Sequence, residues 1–198
     1  MFWLVSCALA ADVRDGDLVF HHSDSAQSAF LEQATGSRWT HVGVVTIGRS
    51  GPEVLEAVEP VKLTPLATWA ARASDGRIAI RRLARADEVL TVEIGATMRA
   101  LGQRWLGGHY DSRFAWSDDR LYCSELVHKL FLVAGVALGT PHPMRDFDLS
   151  NPAVRAAAEA RFGLPLPLDE PVVAPVDVYL DPELVSVCEG TVAHCLGS

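Results

Sequence analysis

The chain has no uninterrupted apolar run of the ~18 residues that a bilayer-crossing helix requires. It also lacks a Walker loop, a GxGxxG fingerprint and a GxSxG elbow, which leaves nucleotide binding and serine hydrolysis without support. Positive charge is short: 17 Lys and Arg stand against 25 Asp and Glu, for a formal net charge of −8. Such a surface repels phosphate backbones, and Arg81, Arg82 and Arg85 are balanced locally by Asp87 and Glu88, so no nucleic-acid partner is expected. Cysteine is scarce, at four residues. The tightest Cys/His grouping, Cys188, His194 and Cys195, departs from the paired spacing of structural zinc sites, so no metal is expected. There is no repeat or low-complexity tract. What is present is 198 residues, 49% of them hydrophobic, enough for one globular domain with a sizeable core.

The opening of the chain differs from the rest. Phe2 to Ala11 is uncharged and apolar and ends in Ala8-Leu9-Ala10-Ala11, a small-residue spacing that resembles a secretory cleavage site. The run is short and has no basic lead-in, and Leu4-Val5-Ser6-Cys7 resembles a lipoprotein box set too close to Met1. Residues 1–11 are therefore expected to be a truncated signal segment and 12–198 the single domain. A first strand or a disordered tail is the alternative. The expected location is the periplasm or cell envelope, with lipid anchoring at Cys7 as a variant and a cytoplasmic location still open. In an oxidising compartment Cys188 and Cys195 become candidates for a disulfide, against two free thiols on a mobile end. Cys123 is then the unpaired thiol inside the domain.

Leu18-Val19-Phe20 reads as a short strand after the Asp15-Gly16-Asp17 turn, and Ser23 to Thr35 as a helix ending near Gly36. His41 to Ile47 is rich in β-branched residues and predicts a buried strand. It is joined through Gly48-Arg49-Ser50-Gly51-Pro52 to a second strand over Val54 to Val58. Arg77 to Leu83 alternates and predicts a third strand, and Glu88 to Leu106 has a helical period. An aromatic-rich loop over Gly107 to Asp119 leads to an amphipathic helix that Gly135 ends. Ala153 to Arg161 is a short helix, and one or two strands are expected near Val172 to Val178. Strands and helices do not alternate regularly, so the domain is expected to be α+β with a mostly antiparallel sheet.

Cys123 opens the amphipathic helix, in Tyr122-Cys123-Ser124-Glu125-Leu126. A helix N-terminus favours negative charge, lowers a thiol's pKa, and supplies N–H groups for an oxyanion. His41 begins a buried strand, where an ionisable ring needs a reason to be. Glu56 lies within an apolar strand, where a carboxylate is costly unless partnered. A hairpin turn centred between residues 48 and 49 sets His41 directly opposite Glu56, and one centred between 49 and 50 makes them diagonal neighbours on the same face. A turn centred on residue 49 would put them on opposite faces. His21, His22, His109, His142 and His194 fall in expected loops or ends, and His128 points away from Cys123 on its own helix.

These blocks resemble a known family. Gly16-Asp17-Leu18-Val19-Phe20, Thr40-His41-Val42-Gly43, Val54-Leu55-Glu56-Ala57-Val58 and Tyr122-Cys123-Ser124-Glu125-Leu126-Val127 look like the YiiX/YebB-like permuted papain-like (NlpC-type) cysteine amidases. The likeness runs from about Gly16 to Pro175 and leaves the last stretch, Val176 to Ser198, without a counterpart. It implies a permuted papain-like fold, with the sheet packed on the nucleophile helix and histidine preceding cysteine. It implies a Cys–His–Glu triad at Cys123, His41 and Glu56, no cofactor, and a role for Tyr122 beside the nucleophile. Its substrate classes are cell-wall peptide amides, or lipid amides and esters. Trp39, Trp116 and Tyr122 flank the triad in sequence and are expected to line a cleft, with core packing as the competing role for all three.

The expected chemistry is amide hydrolysis through an acyl-enzyme. The alternatives are a lipid acyl hydrolase or acyltransferase with the same triad, favoured by an apolar cleft, and a catalytically silent binding protein on the same scaffold.

Overall fold

The computed structural model describes residues 11–197. The apolar opening through Ala10, with its signal-like and lipoprotein-like features, lies outside them.

β1 (Leu18–Ser23) and α1 (Ala26–Thr35) come first. The Ser25 hydroxyl caps α1 by accepting from the Ser28 N–H, and Gly36 ends it in the left-handed region at φ 64. β2 (His41–Gly48) and β3 (Gly51–Glu56) form the expected hairpin. β4 (Lys62–Pro65), α2 (Leu66–Ala70) and β5 (Ala73–Leu83) follow, β5 starting four residues before the expected strand. The single helix expected over Glu88 to Leu106 is two, α3 (Ala86–Val89) and α4 (Val92–Trp105). The break has a local cause: the Thr91 hydroxyl accepts from the Ile94 N–H and starts a new helix there.

β6 (His109–Tyr110) and β7 (Arg120–Leu121) pair in parallel and bracket the aromatic loop just before α5 (Cys123–Leu132). β8 (His142–Pro143), α6 (Pro152–Phe162), β9 (Pro171–Val172), α7 (Pro175–Tyr179), β10 (Leu184–Thr191) and α8 (Val192–Leu196) complete the chain. The strands expected over Val172 to Val178 are thus mostly helix, because Pro175 occupies a first-turn position that suits proline. The stretch beyond Val176 is no loose tail: β10 pairs with β5 along its length.

The main sheet has six strands in the order β10-β5-β1-β2-β3-β4, each antiparallel to its neighbour. The period of two sorts its side chains onto two covered faces. Leu18, Phe20, Val42, Val44 and Ala79 meet Leu126, Val127, Leu130 and Phe131 of α5 on one face. Val19, Val45, Val54, Ile78 and Ile80 meet Leu66 and Trp69 of α2 and Cys195 of α8 on the other. This double burial is why His41 to Val45 is a continuous buried run. Asp17 is fully buried and ion-paired to Arg82 at 2.7 Å, so the Gly16-Asp17 block serves to anchor β1.

Candidate active site

Cys123 is the first residue of α5 and is 2% exposed. Tyr122 before it is extended, and the Glu125 carboxylate accepts from the Tyr122 N–H at 3.3 Å, fixing where the helix begins. The first-turn N–H groups have no partner inside the helix, so they and the helix dipole favour negative charge at the sulfur.

His41 opens β2 next to this helix start. The β2–β3 register sets Gly48 against Gly51 and Val44 against Leu55, so the turn is centred between 49 and 50. His41 and Glu56 are therefore diagonal neighbours on one face. His41 Nε2 lies 2.8 Å from Glu56 Oε2, and this leaves Nδ1 for the sulfur. Continued one step, the same register sets Gly43 opposite Glu56. A Cβ at Gly43 would come within 2.4 Å of Val54 Cγ1 and 3.0 Å of the Leu55 carbonyl oxygen, so the strand needs glycine there.

The fully buried Glu56 carboxylate has three donors. Besides His41, Thr64 Oγ1 donates to Oε1 at 2.6 Å, and Arg72 Nη2 donates to Oε1 at 2.7 Å and to Oε2 at 2.6 Å. Burial alone would raise the Glu56 pKa, but the hydrogen bond and charge of His41, with Thr64 and Arg72, hold it down at about 2. Burial likewise opposes a charged His41. Hydrogen bonds to Cys123 and Glu56 overcome that and raise it to about 9. The thiol, pushed up by burial, is brought below its ordinary value by the His41 hydrogen bond and charge and by the Val42 N–H. These opposite shifts favour the charged forms of both partners, thiolate and imidazolium, with Glu56 hydrogen-bonded to the imidazole.

Residues 12–188 match the family model of the permuted papain-like amidases of the YaeF/YiiX, C92 family. The chain belongs to this family. It is 39% identical to YiiX of Escherichia coli K12, an uncharacterized protein, over 183 residues, 92% of this chain and 89% of that one. The crystal structure of YiiX from Escherichia coli O157:H7, described as a metalloprotein, superimposes with a TM-score of 0.84 at 40% identity, covering 90% of this chain and 98% of that one. The fold is accordingly the permuted papain-like one, with histidine ahead of cysteine in the chain.

The structure brings Cys123, His41 and Glu56 of this family member together. Tyr122 is 1% exposed, and its hydroxyl accepts from the Val173 N–H at 3.2 Å. Trp39 is 5% exposed and packs against Phe20 and Tyr179, in the core. His128 is occupied with the Leu138 and Gly139 carbonyls. His21 lies within β1, paired with His41, and not in the loop expected for it. Its ring packs on Trp69 at 4.2 Å and on His41 at 5.2 Å, and neither of its nitrogens has a hydrogen-bond partner among the described residues.

Sequence reasoning also missed Arg72 and Tyr110. Tyr110 is close enough to Cys123 for the sulfur's charge, after burial, to push its pKa up, and its oxygen accepts from Gln27 Nε2. Its place in an aromatic-rich loop was the available signal. The slot at Cys123 is narrow, about 10 Å³, and is walled by Leu31, Phe114, Tyr122, Phe147 and Val172. A larger cavity of about 470 Å³ between α4 and the β2–β3 hairpin includes no triad residue.

Proposed function

We propose that the chain is a cysteine amidase working through Cys123, His41 and Glu56. The thiolate attacks the substrate carbonyl, and the C–S bond forms as the carbonyl electron pair moves onto oxygen. Free N–H groups at the start of α5, with the Tyr110 hydroxyl, receive that oxyanion. His41 gives its proton to the leaving nitrogen as the C–N bond breaks. Water gives a proton to the now neutral His41 as its oxygen attacks the thioester carbonyl, and the C–S bond breaks to release the carboxylic acid and return the thiolate and imidazolium. Glu56 keeps the imidazole oriented throughout.

The observation that carries this reading is the 2.8 Å contact of His41 with Glu56, beside a thiol that His41 holds below its ordinary pKa. Among the described residues no three His, Cys, Asp or Glu side chains group as metal ligands, and no step runs through a metal.

A specific feature supports a second substrate class. Apart from Cys123 itself, the residues lining the slot include no Asp, Glu, Lys, Arg or His, so the slot offers no ion-pair partner to a diamino-acid peptide. Lipid amides and esters would undergo the same chemistry. The Cys188–Cys195 disulfide supports an exported location. The test is to incubate unsubstituted protein and Cys123→Ala with peptidoglycan fragments and a lipid amide and ester panel, and to read products by mass spectrometry. Cleavage by the former alone is expected, and cleavage by both would refute the triad.

A further inference from the structure

The Glu56 carboxylate is fully buried, and its Oε2 is shared between His41 and Arg72. Arg72 Nη2 reaches both of its oxygens, and Thr64 Oγ1 takes a further position on Oε1. An imidazolium and a carboxylate alone in a buried site have an escape: the proton can pass to the carboxylate and leave both neutral. A neutral His41 would no longer hold the thiolate. A guanidinium does not surrender its proton, so it can keep the carboxylate anionic while fixing its plane. Counting along the chain of contacts, thiolate, imidazolium, carboxylate and guanidinium sum to zero, which reduces the cost of burying them.

We propose that Arg72 is a positioning residue of the Cys123–His41 pair, acting through Glu56 to hold Oε2 on the imidazole and to keep the carboxylate ionised. The proposal rests on the amidase reading above. Groups from several elements surround the His41–Glu56 pair. His41 comes from β2, His21 from β1, Thr64 from β4 with Lys62 opposite Glu56 in register, Arg72 from the turn after α2, and Cys123 from α5. Of these only Arg72 is a permanent cation in contact with the carboxylate. Its side chain is 38% exposed, while the carboxylate it holds is fully buried.

The test is a pH titration of the Cys123 thiolate by its ultraviolet absorbance, taken as a difference against Cys123→Ser, in the unsubstituted chain, Arg72→Gln and Arg72→Lys. Thermal midpoints are measured alongside. In Arg72→Gln the acid midpoint is expected to rise by about one pH unit, which lowers the thiolate population below that midpoint about tenfold, and Arg72→Lys should recover part of the shift. An Arg72→Gln curve that superimposes on the unsubstituted one overturns the proposal and leaves the triad intact, even if the thermal midpoint falls. An ordinary thiol titration in the unsubstituted chain removes the triad and the proposal together.

Discussion

His21 is an imidazole with no hydrogen-bond partner among the described residues, 1% exposed, against Trp69 and His41. Burial first, then the positive charges of His41 and Arg72, depress its pKa from 6.5 to about 2. The folded chain therefore leaves it neutral where the unfolded chain protonates it, so its contribution is intact above pH 6.5 and is lost as pH falls toward 2. The Cys123–His41 pair behaves differently. A raised His41 stabilises below 6.5 and loses this as pH rises through about 9, while a lowered Cys123 gains over the same interval. The two contributions therefore oppose each other as pH rises. Between pH 4.5 and 6.5, His21→Phe should flatten the stability slope by about 1.4 kcal/mol per pH unit, one proton's worth, in denaturant titrations. Parallel slopes in the two proteins would show that His21 takes up a proton in the fold. His21 escaped the sequence reading because two adjacent histidines look like the end of an apolar strand. Arg72 escaped because its carboxylate partner is fixed only by the tertiary fold.

The β2–β3 hairpin was legible because its turn residues left few registers, and both registers with odd residue sums put His41 and Glu56 on one face. The far edge of the sheet was not. Around β10, prolines and cysteines look like irregular chain, and what makes the segment a strand is its pairing with β5. The Cys188–Cys195 disulfide ties β10 to α8, and Cys195 is fully buried against the cluster containing Trp69. Closing so short a loop, seven residues in sequence separation, constrains the unfolded chain modestly. Replacing both cysteines with serine should lower unfolding stability by about 2 kcal/mol, measured by denaturant titration. The Cys123 alkylation rate should be unchanged. An unaltered midpoint would mean that packing alone holds this edge.

In the whole molecule, the sheet is covered on both faces, and the triad assembles where the start of α5 meets the start of β2. The permuted order was available through the family resemblance, which sets histidine ahead of cysteine. The closure of the site was not, since its walls come from α1, the aromatic loop and the segment around β9. Cys123 is 2% exposed and is closely enclosed by these lining side chains. Phe114, held at φ 50 and packed edge-on to Tyr122, is part of that wall. The most direct measurement is the rate of Cys123 alkylation by iodoacetamide against pH, located by mass spectrometry, in the unsubstituted chain and His41→Ala. Fast labelling below pH 7 that disappears in His41→Ala is the predicted result. Slow labelling that rises only near the ordinary thiol pKa of about 8.5, identical in both proteins, would contradict a thiolate–imidazolium pair.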